Sequence, residues 1–252
     1  MRPPSASLPS RARRLWAELG DSPSDWVDVM PLPTGPAALW LDRAAPTCTP
    51  PHHSVVLRMH GEIKVGRWRP FRAEQILSRH GFVWAARAGR FPMVVRGFDI
   101  CRPEGGEMDW RLLGLVPVMR RAGDDVWRSA AGRHAAELLV LAPCFGRTPQ
   151  VAWTSGRGDD VAVAKVILGR FKHEVSLRID ETGRLLDLSL PRWGDPDGAG
   201  FREEPFGVVF ESERRFGDHL LPGSFRAGWW PGTDSWAEGE FFRCVVDDAE
   251  FS

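Results

Sequence analysis

From Ser54 to Phe251 the chain alternates apolar and polar residues in about ten short stretches, broken once by a run of helical period. In Ser54–Gly66 the residues Val55, Leu57, Met59, Ile63 and Val65 are apolar, whereas Arg58, His60, Glu62 and Lys64 between them are polar. Successive side chains of a strand point to opposite faces, so this pattern turns one face to a core and one to water. Arg170–Asp180 repeats it strictly, and Glu181-Thr182-Gly183 then turns the chain back. Connections this short favour antiparallel neighbours, since a parallel partner needs a long crossover.

Gly81–Ala88, Met93–Cys101 and Glu107–Leu113 carry the same signal before the interruption. Pro149–Ser155, Asp160–Leu168, Arg184–Pro191, Phe206–Phe216, His219–Trp230 and Glu238–Asp248 carry it afterwards. The interruption is Asp124–Leu141, with Val126, Trp127, Ala130, Ala131, His134, Leu138 and Leu141 at helical spacing, Asp124 as N-cap and Pro143 beyond the end. The pattern predicts a mainly β, α+β domain over residues 54–252. Its single curved antiparallel sheet is an open half-barrel packed on one face and wrapped around one crossing helix. Residues 1–53 read as a preamble: a helix over Leu8–Leu19 stopped by Gly20, then an irregular Pro-rich segment, Asp21–His53, anchored by Trp26 and Trp40.

Composition narrows the function. The formal net charge is zero, so no global field draws in nucleic acid or an acidic membrane, although local basic patches are compatible with it. Lysine occurs only at 64, 165 and 172, and the arginine excess reads as the codon bias of a GC-rich genome. Cys48, Cys101, Cys144 and Cys244 form no C-x-x-C pair, so buried free thiols are expected and no zinc site is indicated. Met1–Ser10 has no apolar run of the secretory type and no stretch is long enough to span a bilayer, which makes the cytoplasm the expected location.

Three passages go further: Gly66–Gln75 (GRWRPFRAEQ), Gly105–Met108 with Leu112–Val118, and Arg192–Pro196 (RWGDP). They resemble a family of unknown function frequent in high-GC bacteria, over roughly residues 54 to 252 and not over about 21 to 53. That resemblance implies no catalytic residues. The order of elements is also similar to that of Lol-type lipoprotein carriers and their lipid-transfer relatives. This likeness implies an early helix, a curved half-barrel with a helix across its mouth, and an apolar cavity for acyl chains; those carriers normally need an export signal, which is not evident here.

The inventory of twelve tryptophans and fourteen phenylalanines, with no tyrosine, holds no catalytic spacing. Trp68, Arg69, Phe71 and Glu74 form the densest cluster, readable as a cavity wall with a polar rim or as a turn pinned by Pro70. Trp84, Trp110, Trp127, Trp193 and Trp229 are further candidates for a ligand-facing wall, and Trp229-Trp230 with Trp236, Phe241 and Phe242 also suit barrel closure. His134 and Glu137 share a helix face and with His173 imitate a metal site. Without H-E-x-x-H, a satisfied core histidine is the better reading. Asp195-Pro196-Asp197-Gly198 reads as a surface turn, Ser129 lacks the partners of a nucleophile, and Gly105-Gly106 opens no helix. Arg87, Arg96, Asp99, Glu107 and Asp109, and Glu211, Glu213, Glu238 and Glu240, sit on strands where alternation turns them outward, though any that point inward would suit a polar head group.

The leading expectation is a non-enzymatic binder of an apolar or lipid-like small molecule, with no cofactor, no metal and no nucleic-acid partner. It requires a cavity of about 300–1,000 Å³ between sheet and helix. An interaction module with an exposed apolar patch is the first alternative, and an enzyme using strand-borne Arg, Asp and Glu on a hydrophobic substrate the second. Oligomeric state leaves no trace in the sequence.

Overall fold

The computed structural model describes residues 8–21, 33–46 and 52–252. Two helices come first, α1 (Ser10–Gly20) and α2 (Pro36–Ala44). Six strands follow: β1 (Ser54–Val65), β2 (Arg67–Ser78), β3 (Gly81–Ala88), β4 (Val95–Arg102), β5 (Gly105–Leu112) and β6 (Val116–Ala122). Helix α3 (Asp124–Leu141) and a 3-10 turn at Pro143–Arg147 lead to β7 (Val151–Ser155), β8 (Val161–Leu168), β9 (Phe171–Ile179) and β10 (Leu185–Gly194). β11 (Arg202–Phe216), β12 (His219–Trp229), the short α4 (Trp236–Gly239) and β13 (Glu240–Phe251) complete the order. Among the described residues, thirteen strands form one antiparallel sheet in the order β6-β5-β4-β3-β2-β1-β13-β12-β11-β10-β9-β8-β7. Every neighbouring pair is consecutive in sequence except β1 and β13, which meet with Val55 opposite Phe251 and Ile63 opposite Phe242. The two edges, β6 and β7, are the strands that α3 joins.

α3 matches the expected span, but its cap does not. Gly123 is the N-cap and no side chain caps the helix; Asp124 and Asp125 lie in the first turn, where carboxylates favour the positive end of the helix dipole. Its last turn buries Leu138, Leu139, Val140 and Leu141 together, so that end is enclosed all round. These residues join Leu57, Leu77, Phe82, Leu177 and Leu188 in the main core on the inner face of the sheet. Each fully buried leucine there contributes roughly 1.5–3 kcal/mol by leaving water.

The sheet is packed on both faces, contrary to the one-sided expectation. Ala12, Trp16 and Leu19 of α1 lie on the outer face against Val56, Ile76, Val83, Ala85, Phe98 and Ile100. Those strand residues alternate with inner-face core residues, so β2, β3 and β4 read as continuous apolar runs where α1 covers them. Three further differences have local causes. Trp68-Arg69-Pro70-Phe71 is strand, not turn: Pro70 pairs with Glu62, and its carbonyl accepts a hydrogen bond from Gly89 N–H at 2.8 Å. β6 is exposed along its whole length, which leaves no burial alternation to read. α2 sits inside the segment expected to be irregular, with Pro36 at its first position, where a missing N–H costs nothing. Trp40 is buried there, edge-on to Trp153 at 6.1 Å, while Trp26 and Cys48 lie outside the described residues. Cys101 and Cys244 are free and buried, but Cys144 is disulfide-bonded, which the wide sequence spacing of the cysteines concealed.

Candidate functional site: a cavity beneath the crossing helix

Between α3 and the inner face of the sheet lies a cavity of about 290 Å³. Trp84 and Trp110 wall one side and Phe206, Phe210, Phe241 and Phe242 the other. Val65, Arg69, Val118 and Met119 stand at its mouth. The parity of the strands makes this wall. Met108 and Trp110 on β5, and Phe206, Val208 and Phe210 on β11, share the inward direction, and the intervening residues point away.

The cavity also has four charged lining residues, Asp99, Arg133, Glu137 and Arg192. Arg133 donates to Glu137 Oε1 at 2.6 Å, one helical turn on, to Asp99 Oδ2 at 3.2 Å and to Gln75 Oε1 at 3.3 Å. Gln75, fully buried, donates in turn to Glu137 Oε2 at 2.6 Å, and Trp110 Nε1 donates to Asp99 Oδ1 at 2.9 Å. The Arg133 guanidinium also lies over Phe82 and Trp84, 4.7 and 5.1 Å from the ring centres. Burial would lower the Arg133 pKa, but Glu137 and Asp99 outweigh it and hold it above the ordinary arginine value. Burial raises Asp99, with Arg133 and the Trp110 bond opposing.

Arg192 is placed differently. Its Nε donates to the Ser129 carbonyl at 3.2 Å, and its guanidinium lies over Phe206 at 4.7 Å and Trp229 at 5.4 Å. Among the described residues it makes no ion pair. Burial, reinforced by the like charge of Arg133, lowers its pKa to about 10, so it stays cationic at neutral pH. The site therefore offers an apolar wall, two carboxylates gathered about Arg133, and a second cation, Arg192, which feels those carboxylates through space but is hydrogen-bonded to neither among the described residues. A cation partly withdrawn from water and without a direct ion pair is costly, and an anionic group on its open donors would relieve part of that cost.

The residues singled out in the sequence divide by strand parity. Arg69, Trp84 and Trp110 line the cavity, and Phe71 stands behind it, stacked on Phe242 at 4.9 Å. Trp229 backs the wall through Phe206 at 5.3 Å. The others are elsewhere. Trp68 lies under Arg243 at 4.2 Å, and Glu74 pairs with Arg58 at 3.7 Å on the outer face. Trp127 meets Phe171 edge-on at 5.0 Å and sits under Arg170 at the start of α3. Trp193 donates to Asp125 at 2.9 Å with Arg128 over its ring. His134 is buried with Nε2 donating to the Ser78 carbonyl at 2.7 Å, so that nitrogen is already engaged. Of the strand-borne charges, Asp99 faces the cavity, whereas Arg87, Arg96 and Asp109 border a groove on the outer face. Sequence reasoning passed over Arg133 and gave Gln75 and Arg192 no role, although the first belongs to the densest cluster and the second opens the RWGDP passage. For Arg192 a signal existed: Leu188, Leu190 and Arg192 share one parity on β10, which turns Trp193 away from the cavity.

A family model described as a family of unknown function, DUF6544, matches residues 24–241 and so begins within the preamble, upstream of the segment that carries the sequence motifs. No curated protein matches the chain. Solved structures with a similar arrangement include a domain described as an outer membrane lipoprotein-sorting protein from Vibrio parahaemolyticus, with 10% identity, TM-score 0.43, and 79% of this chain and 86% of that one covered. A DUF1329 family protein from Desulfovibrio piger has 10% identity, TM-score 0.46, and 87% and 94% covered. A LolA superfamily protein from Nitrosomonas europaea has 9% identity, TM-score 0.43, and 86% and 92% covered. At these scores the likenesses carry no argument about function, which rests on the cavity itself.

Proposed function

The chain belongs to the DUF6544 family of unknown function, and from its cavity we propose that it binds a small molecule with an apolar body and an anionic head. The carrying observation is the cavity of about 290 Å³, walled by aromatic side chains and containing Arg192, which makes no ion pair among the described residues. That volume lies at the small end of ligand sites, about 300–1,000 Å³, so a single acyl-like chain suits it better than a bulky ligand. The body of the ligand lies between Trp84 and Trp110 on one side and Phe206 and Phe210 on the other. Its head takes the open donors of Arg192, and Arg69 stands at the entrance.

Native mass spectrometry of the full chain purified from a bacterial host, with organic extraction of what travels with it, tests the reading. A stoichiometric extra mass that extracts as an acidic amphiphile supports it. Arg192→Gln should weaken retention of that ligand at least tenfold, a charge-assisted hydrogen bond being lost. A clean apo mass after incubation with a mixture of fatty acids and phospholipids would sink it.

One observation favours a second reading, an enzyme acting on a hydrophobic substrate: Asp99, whose pKa burial raises, faces the same cavity beside Arg133. Asp99→Asn separates the two. A binder keeps its ligand, whereas an enzyme loses turnover and accumulates unconverted substrate.

A further inference from the structure

α1 covers only part of the outer face, over Ile76, Val83 and Ile100, and leaves the far half of β2 to β5 open. On that half Arg72 is paired with Arg87, Arg87 with Arg96, and Arg96 with Arg111, one from each of four adjacent strands. Strands lie about 4.8 Å apart, so the row is on the order of 15 Å long. Like charges directly opposite one another destabilise a sheet. Arg111 is answered by Asp109, at 3.0 Å. Arg72, Arg87 and Arg96 are exposed and make no ion pair or hydrogen bond among the described residues. An open groove of about 1170 Å³ runs along them.

Antiparallel order brings the β1–β2, β3–β4 and β5–β6 connections to one end of the sheet, just beyond this row. Gly66–Ala73, Ala86–Phe98 and Trp110–Gly123 hold three arginines each, nine together, and no Asp or Glu, in a chain of zero net charge. The same connections expose large apolar side chains: Phe91 is 85% and Leu115 76% exposed, with Met93, Leu113, Val116 and Val118 exposed beside them. Val118 belongs also to the cavity mouth.

We propose that this end of the sheet docks on an anionic phospholipid surface, with Phe91, Leu115 and Val116 entering the interface and Arg72, Arg87 and Arg96 holding headgroup phosphates. The spacing suits it. Arg96 and Arg87 lie three and four residues from Met93 and Phe91, at most about 10–13 Å at the 3.3 Å per residue of an extended chain. Apolar tips sunk about 5–10 Å into the boundary would bring the guanidinium row to the phosphates. Each guanidinium presents a planar fork that phosphate oxygens match. Nucleic acid would also engage the arginines but has no use for exposed Leu115, Val116 and Val118, because its bases stack on aromatic faces. The contact is peripheral: among the described residues, no helix is long and apolar enough to cross a membrane. The proposal stands on outer-face and tip residues and does not require a ligand in the cavity.

Sedimentation of the full chain with vesicles tests it, comparing pure phosphatidylcholine with vesicles containing roughly a third phosphatidylglycerol. Binding is expected to the acidic vesicles only, and to fall on raising the salt. Arg72→Gln, Arg87→Gln and Arg96→Gln together should weaken it on the order of a hundredfold. F91S with L115S should weaken it comparably, with the circular dichroism spectrum of either variant unchanged. Wild-type chain left in the supernatant with acidic vesicles would overturn the proposal, as would binding indifferent to the tip substitutions. Single-stranded RNA bound through the three arginines but not the tips would reassign the row to nucleic acid. A chain purified with a cavity ligand yet indifferent to vesicles would sink this proposal and leave the cavity reading standing.

Discussion

Arg133 shows how much one side chain holds in place. It answers two carboxylates and an amide at once and lies over two aromatic rings, with most of its surface out of water. Arg133→Leu leaves Asp99 and Glu137 without their cation, and a cost of about 3–5 kcal/mol in urea unfolding is expected. His134 sets a pH dependence. Burial lowers its pKa from 6.5 to about 4, and its Nε2–H donates to the Ser78 carbonyl in the neutral form. Below 6.5 the unfolded chain takes up a proton that the folded chain refuses, so stability falls as pH drops from about 6.5 towards 4. The group's share is on the order of 3 kcal/mol, fully lost near pH 4. Urea midpoints measured across that window should slope in the wild type and slope less in His134→Gln, which keeps a donor for Ser78. These roles were half legible in the sequence. Alternation predicts that Asp99 points outward, whereas it faces the cavity. The parity of Leu188 and Leu190 does mark Arg192 as inward, but nothing in the spacing of Gln75, Asp99 and Arg133 announces that three separate elements bring them together.

At the level of elements, the position of α3 decides whether there is a cavity. Gly106 on β5 lets the helix approach: a Cβ there would stand 2.7 Å from Trp127 Cα and 2.9 Å from its backbone nitrogen. Neither atom can yield without moving the helix. Gly106→Ala should therefore cost about 1–3 kcal/mol in thermal or urea unfolding and alter the tryptophan fluorescence of the cavity wall. Leu139→Ala, by contrast, empties space within the core and should cost about 2–5 kcal/mol without shifting the helix. α3 and β9 were plain in the sequence because helical spacing runs along most of the one and strict alternation along the other, and Glu181-Thr182-Gly183 marks the turn that follows. β2 and β6 were hidden for opposite reasons. β2 is apolar on both faces beneath α1 and mixes arginines with Trp68, Pro70 and Phe71 at its other end, and β6 buries neither face. α2 is too short, at nine residues, to establish a period against its flanking prolines.

For the molecule as a whole, the sheet is two runs of neighbouring strands joined twice, by α3 between the outer edges and by β1 against β13 in the middle. The expected division at residue 53 leaves β1 as the first strand of the sheet. We propose that α1 and α2 serve as covers fitted to it, α1 on the outer face and α2 against the 3-10 turn after α3 and against β8, β9 and β12. The middle joint has a consequence in time. Arg58 and Asp248, which form an ion pair across it, are 190 residues apart in the chain. During synthesis β1 to β6 emerge and pair long before β13 exists, so Val55, Leu57 and Met59 wait on an unpaired edge. Such an edge accepts any passing strand. A chain ending at Gly239 should therefore collect as sedimenting aggregate, not as a soluble half-sheet, and adding the missing twelve-residue strand as a peptide during refolding should recover soluble material. The joint at the centre of the finished sheet is thus the last one the growing chain can close, and until it does β1 depends on chaperones or on speed.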